Sequence, residues 1–100
     1  MPKALPPLHP GEVLREEYLE PLGVSPSALA KACRIPRTRM ERIAREEIGI
    51  TADRALRLGR YFNTTPQFWL NLQSDYDLRT AEAKIGRELD GIEQRELEGA

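Results

Sequence analysis

The chain has 100 residues, of which 40% are hydrophobic, with a single cysteine and a formal net charge of −1. That length suits one domain that buries its core without staples, and one cysteine excludes an internal disulfide. The sequence has neither a long apolar run for a membrane span nor a basic-then-apolar leader, so a cytoplasmic protein is expected.

The first eight residues, Met1 to Leu8, hold Pro2, Pro6 and Pro7 and are expected to form an extended arm. Pro10 then opens a first helix, with Glu12 favourably placed against its dipole. Val13, Leu14, Tyr18 and Leu22 recur at helical spacing as its inner side, and Pro21 with Gly23 ends it. His9 is the sole histidine; with no partner nucleophile in view it reads as a capping or packing residue.

SPSALAKACRIPRTRMERIAR, residues 25–45, reads as two short helices joined by a tight turn. Ser25 caps the first and Pro26 occupies its first position. Leu29, Ala30, Ala32 and Cys33 give that helix an inward side, and Cys33 there reads as a small core residue. Pro36 is expected to open the next helix in the same way, with Ile35, Met40, Ile43 and Ala44 as the apolar side. Arg37, Thr38, Arg39, Glu41, Arg42 and Arg45 are left outside. Small Ala30, five residues before Ile35, permits a close crossing, the pattern of a helix-turn-helix.

Gly49 marks a break, and Thr51 caps a fourth helix with Asp53 in its first turn. Ala52, Ala55, Leu56, Gly59 and Phe62 are assigned to its inner side. Arg54, Arg57 and Arg60 form a row on the other, either reaching DNA backbone or simply solvated. Asn63 can close the helix in the left-handed conformation, and a fifth starts behind a Thr65 cap. On it Phe68, Trp69, Leu72 and Tyr76 are spaced to face inward as the keystone of the bundle. Leu78, Ile85, Leu89 and Ile92 continue as a narrow stripe that wants another helix, and EQRELEGA is expected to fray.

Charge divides unevenly along this plan. Residues 25–60 carry nine Lys or Arg against four acidic residues (+5), residues 1–24 two against four (−2), and residues 61–100 four against eight (−4). Surface potential is set within a Debye length, roughly 8 to 10 Å, so a basic centre between acidic flanks can still dock on phosphate. An arginine near the start of the exposed helix can give two hydrogen bonds to guanine, and Thr38 can touch a thymine methyl or a phosphate. Ser25 and Ser27, with the amides at the start of their helix, are placed to hold backbone phosphate. Nothing marks an enzyme: there are no paired carboxylates in a plausible cleft, no phosphate loop and no metal or cofactor spacing.

HPGEVLREEYL, the helix-turn-helix, GITADRALRLGRYF and TPQFWLNLQSDYDL, in that order over residues 8–80, resemble the HigA-type antitoxins of bacterial toxin-antitoxin modules. The resemblance implies an all-α, five-helix Cro/repressor-like domain of the XRE kind; the residues place it at 9–76, between the arm at 1–8 and a charged helical extension at 77–100. It further implies a homodimer, repression of its own operon through double-stranded operator DNA, and neutralisation of a HigB-type mRNA-cleaving ribonuclease toxin. Its base-reading positions fall on Arg37, Thr38, Arg39 and Arg42, with Glu41 as a further position. Two places depart from the family pattern. Arg34 stands where the turn usually has glycine, so it is either left-handed or closed differently. REEIG replaces the usual asparagine-glycine loop and brings Glu46 and Glu47 near phosphate, where they either weaken or sharpen binding. A stand-alone regulator without a toxin, and a helical adaptor that binds protein only, are the competing readings.

Overall fold

The computed structural model describes residues 6–97. The arm expected at Met1 to Leu8 lies outside the described residues except for Pro6 to Leu8, which have no regular secondary structure. Five helices follow. The chain turns helical at Pro10–Val13, continues as a π-helix over Leu14–Leu19 and finishes with Glu20–Leu22, the three segments together making α1. Then come α2, Pro26–Cys33; α3, Arg37–Ala44; α4, Ala52–Phe62; and α5, Pro66–Asp90. No helix of the described residues is long and apolar enough to cross a membrane.

Proline explains the π stretch. Pro21 has no N–H to donate and its ring would strike the carbonyl one turn back, and a widened turn ahead of it relieves that clash. Glu20 accordingly bonds five residues back, to the Arg15 carbonyl. Widening also rotates the helix, so Leu19 is buried and Leu22, expected inside, is 60% exposed. Gly23, at φ 65°, closes α1 in the left-handed conformation.

The caps explain most of the other boundaries. Ser25 Oγ accepts from the Ala28 N–H at 3.0 Å, Thr51 Oγ1 from Arg54 N–H at 3.3 Å, and Thr65 Oγ1 from Phe68 N–H at 3.1 Å. Pro36 corrects the expected plan by one residue. It is the cap of α3, with extended backbone and no capping side chain, and its carbonyl accepts from Met40 N–H, so the helix starts at Arg37.

Leu14, Leu29, Met40, Ile43, Leu58 and Trp69 form the fully buried centre. Around Trp69, Tyr18 lies at 5.2 Å, Phe68 at 5.1 Å and Phe62 at 6.2 Å between ring centroids, each such pair adding about 0.5–1.5 kcal/mol beyond burial. The indole N–H donates to Thr64 Oγ1 at 2.9 Å, so the keystone residue leaves no polar atom unmatched. Ala32 on α2, and Ala52 and Leu56 on α4, were expected to point inward but are exposed; Leu58 takes the core position on α4. α5 runs without interruption past residues 76 and 77, and its distal Leu78, Ile85 and Leu89 are exposed. Residues 93–97 have no regular secondary structure, and residues 98–100 of the expected frayed end lie outside the described residues.

His9 is 5% exposed, and its Nδ1 accepts from Gly11 N–H at 2.9 Å to cap α1, while its ring meets Tyr76 edge to face at 4.8 Å. Burial lowers its pKa from the ordinary 6.5, opposed by the nearby charges of Glu46 and Asp77. The unfolded chain therefore binds the proton more readily, and stability is full above the ordinary value and is lost as pH falls from there through the lower folded value. Melting temperature is expected to drop between about pH 7.5 and pH 5.5. His9→Asn keeps an acceptor for the cap and should show a smaller drop; equal drops in the two proteins would refute the assignment to His9.

Candidate nucleic-acid interface

Helix α3 is held from both ends and along one side. Met40 and Ile43 have no exposed surface and Ala44 has 4%, so this face is locked into the core. At its start, α2 ends with Arg34 in the left-handed conformation at φ 58°, and Ile35 N–H reaches back to the Ala30 carbonyl at 3.0 Å. The arginine thus adopts the glycine geometry of the turn, at a cost of about 1–2 kcal/mol. Arg57 offsets it from α4: one terminal nitrogen donates to the carbonyls of both Cys33 and Arg34 at 3.1 Å, and Nε is fixed by Asp53 at 2.7 Å. Cys33 is packed beneath, and burial raises its thiol pKa.

At the far end of α3, Arg15 donates to the Ala44 carbonyl at 2.6 Å, placing a cation on the negative end of the helix. The same guanidinium contacts Glu16 at 3.0 Å and Glu46 at 3.1 Å, and those hydrogen bonds raise its pKa. Glu46 is left-handed, at φ 65°, and Glu47 N–H closes the turn on the Arg42 carbonyl at 2.8 Å. Next in the chain, Ile50 N–H donates to Gln73 Oε1 at 2.6 Å, and Arg54 reaches the Gly49 carbonyl at 3.0 Å, tying the loop to α5 and α4.

What α3 turns outward is the expected set. Arg37, Thr38, Arg39 and Arg42 are exposed on the helix, Arg45 is exposed at its C-cap, and Glu41 is half-buried. Ser25 and Ser27 are exposed at the start of α2. Ser25, Glu41 and Arg45 come together along one cleft of about 730 Å³, which Arg15 and Glu20 also line. Arg39 lies away from them, in a cleft of about 310 Å³ with Arg34, Thr51, Arg54 and Arg57. Of the arginine row on α4, Arg54 and Arg57 are thus engaged with backbone carbonyls, and Arg60 stays exposed.

Sequence reasoning missed Arg15 and Gln73, and placed Arg57 in a DNA-facing or solvated row where it is instead an anchor; all three hold the candidate interface. Each pairs with a group more than twenty residues away, a relation no local spacing reveals. It also left open the role of Glu47, whose carboxylate lies 3.4 Å from Nε of both Arg42 and Arg45.

A two-helix unit with a left-handed turn, whose second helix offers arginines to solvent from a five-helix scaffold, defines a helix-turn-helix protein of the Cro/repressor-like class. No family model matches the chain. It is 58% identical to virulence-associated protein I of Dichelobacter nodosus, over 78% of this chain and 72% of that protein. Antitoxin HigA-1 of Vibrio cholerae is 38% identical over 72% of this chain and 68% of its own length. A solved structure of Pseudomonas aeruginosa antitoxin HigA with the higBA promoter superposes with a TM-score of 0.86 at 48% identity, covering 91% of this chain and 99% of that one. The chain belongs to the HigA family of antitoxins.

Proposed function

We propose that the protein is a sequence-specific DNA-binding antitoxin: as a homodimer it represses its own operon, and it neutralises a HigB-type ribonuclease toxin. The observation that carries the DNA-binding part is the division of α3 into a core-locked face and an exposed arginine face, with Arg57 holding the turn that precedes the helix and Arg15 capping its C-terminal end. In this reading Arg37, Thr38, Arg39, Arg42 and Glu41 face base edges and Arg45 faces phosphate or base. Ser25 and Ser27 hold the backbone of the duplex at the start of α2. The P. aeruginosa HigA structure contains promoter DNA, which supports the same use of the fold here. Residues 9–76 then serve as the DNA-binding domain, residues 1–8 as an arm and residues 77–100 as a charged extension. The protein works in the cytoplasm and performs no catalysis of its own.

The test is titration of the full-length protein against a duplex from immediately upstream of its own gene and against a scrambled duplex. Binding is expected to be selective and to fall steeply with salt, the logarithmic slope being about −0.9 for each phosphate neutralised. Equal affinity for the two duplexes, or a flat salt response, contradicts the DNA-binding part. Co-expression with the product of the adjacent small gene tests the toxin part through rescue of growth and co-purification. A selective DNA binder that neither rescues growth nor co-purifies with that product is a stand-alone regulator.

A further inference from the structure

The two glutamates that follow α3 have different tasks. Glu46 is engaged by Arg15, which also caps α3, and its left-handed backbone swings the chain so that the next residue returns over the last turn of the helix. Glu47 lands there, between two arginines of the exposed face. Its Oε1 accepts from Nε of Arg42 at 3.4 Å and its Oε2 pairs with Nε of Arg45 at 3.4 Å. One carboxylate therefore serves both arginines.

We propose that Glu47 is a specificity-determining residue of the DNA interface, an internal anion that sets Arg42 and Arg45 by their Nε atoms and opposes every contact they make to phosphate. The proposal rests on the DNA-binding reading above. A guanidinium held at Nε keeps the four N–H donors of its two terminal nitrogens, the pair of atoms that can meet guanine O6 and N7. An arginine used in that way on the operator keeps Glu47 and enters the complex already oriented. A duplex of the wrong sequence offers the same arginines mainly phosphate charge, and there Glu47 competes with phosphate for each cation. Both pairs are solvent-exposed, with side-chain exposures of 53%, 63% and 46% for Arg42, Arg45 and Glu47, so duplex can displace them. Removing the negative charge should therefore favour wrong duplexes more than the right one.

The experiment compares wild type with Glu47→Gln, which preserves shape and the backbone hydrogen bond to Arg42, on the upstream duplex and its scrambled counterpart at several salt concentrations. Glu47→Gln is expected to bind scrambled duplex at least about fivefold more tightly, with a steeper salt slope, while affinity for the upstream duplex changes less than about twofold. Melting temperature should not move, which separates this role from a structural one. In an Arg42→Ala/Arg45→Ala background, Glu47→Gln should leave the ratio of the two affinities unchanged. A gain equal on both duplexes, no gain on either, or a persistent effect without the two arginines overturns the proposal. A wild type that discriminates, joined with an inert Glu47→Gln, defeats only the role of Glu47; a wild type that does not discriminate defeats the DNA-binding reading itself.

Discussion

Replacing Arg37 or Arg39 by alanine is expected to weaken binding to the upstream duplex by about 1–3 kcal/mol each, with a much smaller loss on scrambled DNA. Both side chains are exposed on the first turn of α3 and, among the described residues, neither makes a hydrogen bond or ion pair. Their donors are thus uncommitted in the free protein, unlike those of Arg15, Arg54 and Arg57, which are engaged with backbone carbonyls. Both side chains are solvent-exposed, so stability should change by no more than about 0.5 kcal/mol. The two positions should also differ. Arg39 shares its cleft with Arg34, Arg54 and Arg57, so its loss should reduce the salt slope as well. Arg37 lies outside that cleft, and its loss should act mainly on selectivity. If both variants retain the wild-type ratio of affinities while remaining folded, α3 is not the reading element.

Much of this candidate interface is legible in the sequence because the residues that build it are local. Ser25, Pro26, Ile35 and the arginine run are close in the chain, and caps and turns act over three or four residues. Errors of one step arose where the helical phase depends on something distant or irregular. On α1, counting at the regular period led to Leu22, whereas the π stretch forced by Pro21 buries Leu19. On α4, Ala52, Ala55, Leu56 and Gly59 satisfy the spacing of an inner face as well as the true set does. The choice was made by tertiary contact: Arg57 must reach the turn after α2, and Gly59 must pass beneath Thr64 and Pro66, where an added Cβ would lie 2.9 Å from the Thr64 carbonyl. With those two directions set, Ala55 and Leu58 enter the core and Leu56 is left in solvent at 61% exposure. Pattern alone carries no record of such constraints.

The strongest of these distant constraints is a glycine, and substituting it should have the largest effect on stability. Gly11, buried in the first turn of α1, lies so close to α3 that an added Cβ would collide with the carbonyl oxygen of Ile43 and come within 3.1 Å of His9 Nδ1. Ile43 O cannot retreat freely, because it accepts from Glu46 N–H at 2.9 Å in the turn that closes α3. Alanine in place of glycine normally favours a helix by about 0.5–1 kcal/mol. At Gly11 that gain is exceeded by overpacking, typically 1–3 kcal/mol and more where backbone meets backbone. Gly11→Ala is expected to lower the melting temperature by roughly 10 °C, since 1 kcal/mol corresponds to about 4–8 °C in a domain of this size. Gly86→Ala makes the comparison informative: it lies inside α5 with nothing within 4 Å of its added Cβ, so the same change there should stabilise. Whatever folded Gly11→Ala remains must carry α3 displaced from α1, with the Arg15 cap and the Glu46 turn strained together, so its affinity for the upstream duplex should fall although no arginine was touched. A Gly11→Ala protein that melts and binds like wild type would show that the seat of α3 is softer than this close approach requires, and would detach the position of the arginine face from the packing beneath it.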